Sequence, residues 1–165
     1  MKLSTKGRYA VTALADLALR SEGAPGGAGR VSLAEIAERQ SLSLAYLEQL
    51  FARLRRAGLV ESVRGPGGGY RLARGAGEIN VAEVMAAVDE RLNAMGCEGE
   101  IGQGCSGGRA QCLTHDLWER LSAHVHVFLA KTTLADVVGD GMAPCPAVPD
   151  FAERFEDAAP ERAGA

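Results

Sequence analysis

Cys97, Cys105, Cys112 and His115 are the residues of this chain best suited to hold a metal, with seven, six and two residues between successive members. Cys112 and His115 stand three apart at the expected start of a helix, so both can point to one pole. Six of the 13 residues from Gly96 to Gly108 are Gly, which lets the other two thiols fold over that pole. Three thiolates and an imidazole form an accepted structural zinc set, although the close Cys-x-x-Cys pairs usual in such sites are missing. An iron-sulfur cluster also takes four such ligands, and an imidazole in place of a thiolate makes the site less negative and raises its potential. Unligated thiols in a loop are the plainer alternative. Cys145, within Ala-Pro-Cys-Pro, is read as a bystander, and His124 and His126 are two apart, hence on different faces of a helix.

A second group of residues suits nucleic acid. Gln49 can bond adenine bidentately, Glu48 can accept from the amino group of cytosine, and Ser43 can reach a base edge or a phosphate. Arg64 is placed to enter a narrow minor groove. Arg53, Arg55, Arg56, Arg71 and Arg74, with Lys2, Lys6 and Arg8, supply phosphate contacts, which give affinity and salt dependence without sequence discrimination. The run Gly65-Pro66-Gly67-Gly68-Gly69-Tyr70 is not a nucleotide loop: it lacks the Gly-Lys-Ser/Thr ending, and Tyr70 stands where a dinucleotide fingerprint has its last Gly. No paired carboxylates or nucleophile-base motif suggest an enzyme.

The elements that must position these residues are legible from periodicity and caps. A first helix from Thr5 to about Arg20 has Ser4 as its N-cap and carries Tyr9, Leu14, Leu17 and Ala18 on one face. A Gly-rich loop over residues 22–30 follows. Ser32 with Glu35 makes a capping box ahead of a short helix. After Gln40-Ser41-Leu42, Ser43 caps a second helix whose Leu44, Leu47, Leu50, Phe51 and Leu54 turn inward, with Gly58 as its left-handed stop. The opposite face carries Ala45, Glu48, Gln49, Ala52 and Arg56, where a major groove would lie. Ser41 occupies a turn position that often holds Gly, at modest cost if the backbone there is left-handed.

Leu59–Val63 and Tyr70–Ala73 then read as a hairpin with a Gly-rich tip, the wing of a winged helix-turn-helix. Asn80 with Glu83 opens a helix from Val81 to Val88. Residues 94–113 lose periodicity, as a functional or disordered loop does. Beyond them, Leu117, Trp118, Leu121, Val125, Phe128 and Leu129 form the apolar side of a helix from Thr114 to about Lys131, too apolar for a small monomer to cover and therefore read as a dimerisation helix. Thr133 with Asp136 opens a last short helix, and the acidic, Pro-containing tail after Gly139 is expected to be disordered.

Composition agrees with a mainly α fold. The 165 residues are 47% hydrophobic but hold only 1 Trp, 3 Tyr and 4 Phe, so Leu, Val and Ala must build the core, which disfavours an all-β sandwich. The net charge of -3 conceals a division: residues 1–77 carry 12 Lys/Arg against 6 Asp/Glu, and residues 78–165 carry 6 against 15. A basic part that binds nucleic acid joined to a part with another task accounts for this asymmetry. The N-terminal apolar run is broken by Thr12 and Asp16 and fits a helix better than a secretion signal. With no apolar run of membrane-spanning length, the chain is expected to be cytoplasmic and its thiols reduced.

MKLSTKGRYAVTALADLAL, SLSLAYLEQLFARLRRAGLVESVRGPGGGYRL and CLTHDLWERLS together resemble the IscR-type iron-sulfur cluster regulators, winged-helix transcription factors of bacteria. The resemblance covers roughly residues 1–138. It implies a homodimer with one 2Fe-2S cluster per subunit, bound by three cysteines and a histidine that here fall on Cys97, Cys105, Cys112 and His115. It implies base and groove contacts from Ser43, Tyr46, Glu48, Gln49 and Arg64. The expectation is a regulator, mainly a repressor, that reads a pseudo-palindromic operator, senses its own cluster and controls iron-sulfur assembly genes, with cluster-assembly proteins as possible donors. A zinc, nitric oxide or thiol signal on the same fold, or a cluster carrier, are the rivals. The expected organisation is a DNA-binding unit over residues 1–91, a cluster loop over 92–113, dimerisation helices over 114–139 and a tail from 140.

Overall fold

The computed structural model describes residues 4–22, 29–65, 67–90 and 113–139. Six α-helices and one hairpin occur among them: α1 (Thr5–Glu22), α2 (Leu33–Gln40), α3 (Leu44–Arg56), β1 (Val60–Val63), β2 (Gly69–Leu72), α4 (Val81–Ala87), α5 (His115–Lys131) and α6 (Leu134–Val138). Helix α1 runs two residues past its expected end. The strands begin one residue later at β1 and one earlier at β2 than the apolar pattern suggests, as expected where hydrogen bonding rather than side-chain type sets the limits.

Most caps form as read. Ser32 accepts from the Glu35 N–H while the Glu35 carboxylate accepts from Ser32 N–H, and Thr133 and Asp136 repeat the arrangement at α6. Asn80 accepts from Glu83 N–H at 2.9 Å to open α4. Ser4 accepts from Lys6 N–H at 3.2 Å at the start of α1. Ser43 is a correction: its backbone has extended N-cap angles, yet its side chain makes no capping hydrogen bond, which leaves the hydroxyl exposed at the front of α3. Thr114 likewise precedes α5 without capping it; its hydroxyl accepts from the Trp118 indole N–H at 3.2 Å.

One core joins the elements. Leu14 and Leu17 of α1, Ile36 of α2, Leu47, Phe51 and Leu54 of α3, Leu59, Ile79 and Val84 are all fully buried, each adding about 1.5–3 kcal/mol relative to exposure for the larger side chains. Leu134 of α6 is fully buried in the same cluster, because α6 folds back onto α1. Backbone bonds hold it there: Leu134 N–H donates to Ile79 O and Val81 N–H to Thr132 O.

The hairpin pairs Val60 with Leu72 and Val63 with Gly69, and Glu61 faces Arg71 directly, with the guanidinium donating to the carboxylate at 2.7 and 3.0 Å. Val31 adds a bridge that periodicity does not disclose, exchanging both backbone bonds with Tyr70 at 2.8 and 2.9 Å. Gly69 makes that approach possible, since a Cβ there would lie 2.5 Å from Val31 O. The wing is thus tied both to α3, through Phe51 against Tyr70 at 4.9 Å between ring centres, and to the entry of α2.

Candidate nucleic-acid interface

Helices α2 and α3 form a helix-turn-helix whose turn depends on Ser41. Its backbone is left-handed (φ 53, ψ 43), and its N–H bonds back to Ala37 and Glu38 while Leu42 N–H donates to Ala37 O at 2.9 Å. A side chain in that region costs about 1 kcal/mol, the modest penalty expected for a non-glycine residue. Packing offsets it. Leu47, Leu50, Phe51 and Leu54 bury the inner face of α3, so helical geometry alone turns Ala45, Glu48, Gln49, Ala52 and Arg56 outward; Leu44, expected inward, is instead exposed at the first residue of the helix.

The expected readers occupy one surface. Ser43, Glu48, Gln49 and Arg56 are exposed along α3, and Arg56 leans back to donate from its Nε–H to Ala52 O at 3.3 Å. Tyr46 is half-buried with its ring edge-on to Tyr9 of α1, 6.1 Å between centres. Arg64 is exposed at the base of the wing with no ion pair among the described residues, as are Arg8 near the start of α1 and Arg55. Other cations are engaged within the chain. Arg53 pairs with Asp89, Arg71 with Glu61 and Arg74 with Glu83, while Lys6 donates from Nζ to Asp89 O at 3.0 Å.

Asp16 has a positioning role that its sequence context conceals. It is 5% exposed on α1 and accepts from Arg39 Nε and Nη2 at 3.1 and 2.6 Å and from Gln40 Nε2 at 3.0 Å. Burial pushes its carboxyl pKa up, but the hydrogen bonds from Arg39 and Gln40 and the charges of Arg39 and Arg20 prevail and hold it below the usual value. This cluster fastens the end of α2, hence the turn, to α1. The only hint in the sequence is an acid breaking the apolar stripe of the first helix.

The metal-ligand candidates Cys97, Cys105 and Cys112 lie outside the described residues, as do Lys2, Cys145 and the tail. His115 is described: it is half-buried at the first residue of α5. Among the described residues no helix is long and apolar enough to cross a membrane.

A helix-turn-helix with an exposed polar reading face, followed at once by a hairpin wing, defines a winged-helix DNA-binding transcriptional regulator. Residues 3–140 match Rrf2, iron-dependent transcriptional regulators, and the chain belongs to that family. It is 61% identical over 149 residues to the HTH-type transcriptional regulator IscR of Cereibacter sphaeroides, covering 90% of this chain and 94% of the relative. Against the regulator of the same name from Citrobacter koseri it is 56% identical, covering 85% and 81%. Among solved structures, T. potens IscR superposes with a TM-score of 0.66 at 41% identity, covering 85% of this chain and 88% of that one. CymR, the global cysteine regulator of B. subtilis, gives 0.66 at 33% identity, covering 84% and 96%.

Proposed function

We propose that this regulator acts as a homodimer on a pseudo-palindromic operator, reads bases with Ser43, Tyr46, Glu48 and Gln49 and the adjoining minor groove with Arg64, and represses iron-sulfur assembly genes according to the state of its own cluster. The observation that carries the DNA part is the exposed face of α3, where Glu48 and Gln49 stand between small residues that let a groove approach. Arg53, Arg56, Lys6 and Arg8 flank that face as phosphate contacts. Half-sites about one helical turn apart, or a multiple of it, suit a two-fold reader. Gln49→Ala is expected to cost about 1–3 kcal/mol at one base position and relax discrimination there, whereas Arg64→Ala weakens A·T-flanked sites most. Binding measured on operators substituted base by base checks both, and uniform loss from Gln49→Ala would sink the base-reading role.

Helix α5 supports the dimer. None of its 17 residues is buried, and Leu117, Trp118, Leu121 and Phe128 stand exposed along it. Such a surface matches an interface core and is unusual on a monomer.

The donor set fits an iron-sulfur cluster by its chemistry: three thiolates offset the iron charge, and His115 supplies a nitrogen. Cys97, Cys105, Cys112 and His115 would hold it, most simply as one 2Fe-2S cluster per subunit, and the family's iron dependence supports that reading over zinc. When bound, the cluster supplies a one-electron redox centre. The chain's own part is to couple ligand binding to the reading heads, and a coupling of about 1–3 kcal/mol changes operator affinity roughly five- to 150-fold.

Iron, sulfide and zinc analysis of anaerobically purified protein tests the ligand set. Replacing any of the four ligands by Ala is expected to abolish stoichiometric iron and sulfide while the dimer persists, and Cys145→Ala is expected to retain both. Stoichiometric zinc without sulfide in the wild type would overturn the cluster.

A further inference from the structure

Two acidic residues just beyond α4 meet the start of α1 and the last turns of α3. The Glu90 carboxylate accepts from both the N–H, at 2.9 Å, and the hydroxyl of Ser4, at the start of α1. Burial pushes the Glu90 pKa up, but the bonds from Ser4 and Gly7 and the charge of Lys6 hold it below the usual value. Its neighbour Asp89 has a left-handed backbone (φ 54). The Asp89 carboxylate meets Arg53, and its carbonyl accepts from Lys6 Nζ.

Arg53, Arg56, Ala57, Ala87 and Asp89 line an open cleft of about 390 Å³ beside the end of the reading helix. The cleft has room for a phosphate group, and among the described residues it presents two guanidinium groups and a single acid, Asp89. We infer that Asp89 is an intramolecular competitor of DNA phosphate, its carboxylate occupying on Arg53 the place that a backbone phosphate of the operator takes in the complex. Guanidinium binds carboxylate and phosphate with the same fork of N–H donors, so the two exchange without repositioning α3. The pair is weak enough to exchange, since Asp89 is 77% exposed and Arg53 40%. Glu90, anchored on α1, keeps Asp89 at the cleft after Arg53 has turned to DNA, so the competition restrains affinity without blocking it.

This rests on the DNA-reading role of α3 and requires no cluster. Glu90 is nevertheless followed seven residues on by Cys97, so on the proposed function a ligand event has a short covalent route to the cleft.

The test uses full-length wild type, Asp89→Asn, Arg53→Gln and the double variant, prepared identically and titrated with one operator duplex at fixed salt. Asn tolerates a left-handed backbone as Asp does, so the fold survives the change, which matching melting curves verify. Asp89→Asn is expected to bind about two- to fivefold more tightly, the range an exposed ion pair allows. In the Arg53→Gln background that gain is expected to vanish. Unchanged or weaker binding by Asp89→Asn overturns the inference, as does a gain that persists without Arg53, which would reflect removal of a negative charge in general. Failure of all four proteins to bind the operator duplex would overturn the reading role of α3 itself.

Discussion

Exchanging Leu121 and Phe128 for Glu is expected to leave a folded monomer that binds a two-half-site operator about 10²–10⁴-fold more weakly than the wild type. Both side chains project from a helix of which no residue is fully buried among the described residues, and they are 38% and 47% exposed respectively. Surface changes of this kind usually alter stability by no more than about 0.5 kcal/mol, and Glu is a good helix former. Four carboxylates facing one another across a two-fold interface, by contrast, must be desolvated and repel. The loss in affinity follows from geometry: the second reading head no longer benefits from the high effective concentration that the first creates. Sedimentation gives the mass and gel shifts the affinity. A variant that remains dimeric would show that α5 is not the interface, and a monomer with undiminished operator affinity would remove the need for two heads.

Asp16→Ala is expected to destabilise the fold by about 2–3 kcal/mol and lower the melting temperature by about 10 °C. Removing one partner of a buried ion pair is costly because the other is left uncompensated, and here the guanidinium of Arg39 is 30% exposed, so water relieves part of the loss. Gln40 loses its acceptor at the same time. The effect has a defined pH dependence. Because the folded pKa of Asp16 is depressed, its contribution is fully present above the unfolded value of about 3.9 and disappears as pH falls through the folded value. Wild type and variant should therefore begin to converge in stability as pH falls below about 4, the gap narrowing further toward the depressed folded value. Melting curves across pH 3–7 decide it; a constant difference would place the stabilisation in packing instead. Since the cluster holds the end of α2 to α1, the variant is also expected to loosen the turn and lose operator affinity before it unfolds.

The exposed face of α3 was legible because every step toward it is local. The Ser32 and Glu35 box lies within one turn, and the buried stripe of α3 recurs at helical spacing, so Glu48 and Gln49 are turned outward by the helix itself. Ser43 shows the limit of such reasoning. Its residue type and angles suit a cap, but whether the hydroxyl bonds inward or stays exposed depends on a rotamer that sequence does not specify. The cations show it again: a row of arginines reads as uniformly available, although Arg53, Arg71 and Arg74 each have an acidic partner in the folded chain.

By itself the sequence determined the helices, most of their caps and the wing, since these arise from interactions within a few residues. Tertiary structure alone decided which distant groups meet. Asp16 finds Arg39 across 23 positions, Arg53 finds Asp89 across 36, and Ser4 finds Glu90 across 86, separations over which residue type carries no positional signal. Packing also decided that α6 returns to the core while α5 does not. Leu134 reaches a buried site among α1 and the turn at Ala76–Glu78, whereas α5 packs beside α4 with Val125 and Leu129 only half-buried and Leu117, Trp118, Leu121 and Phe128 left exposed.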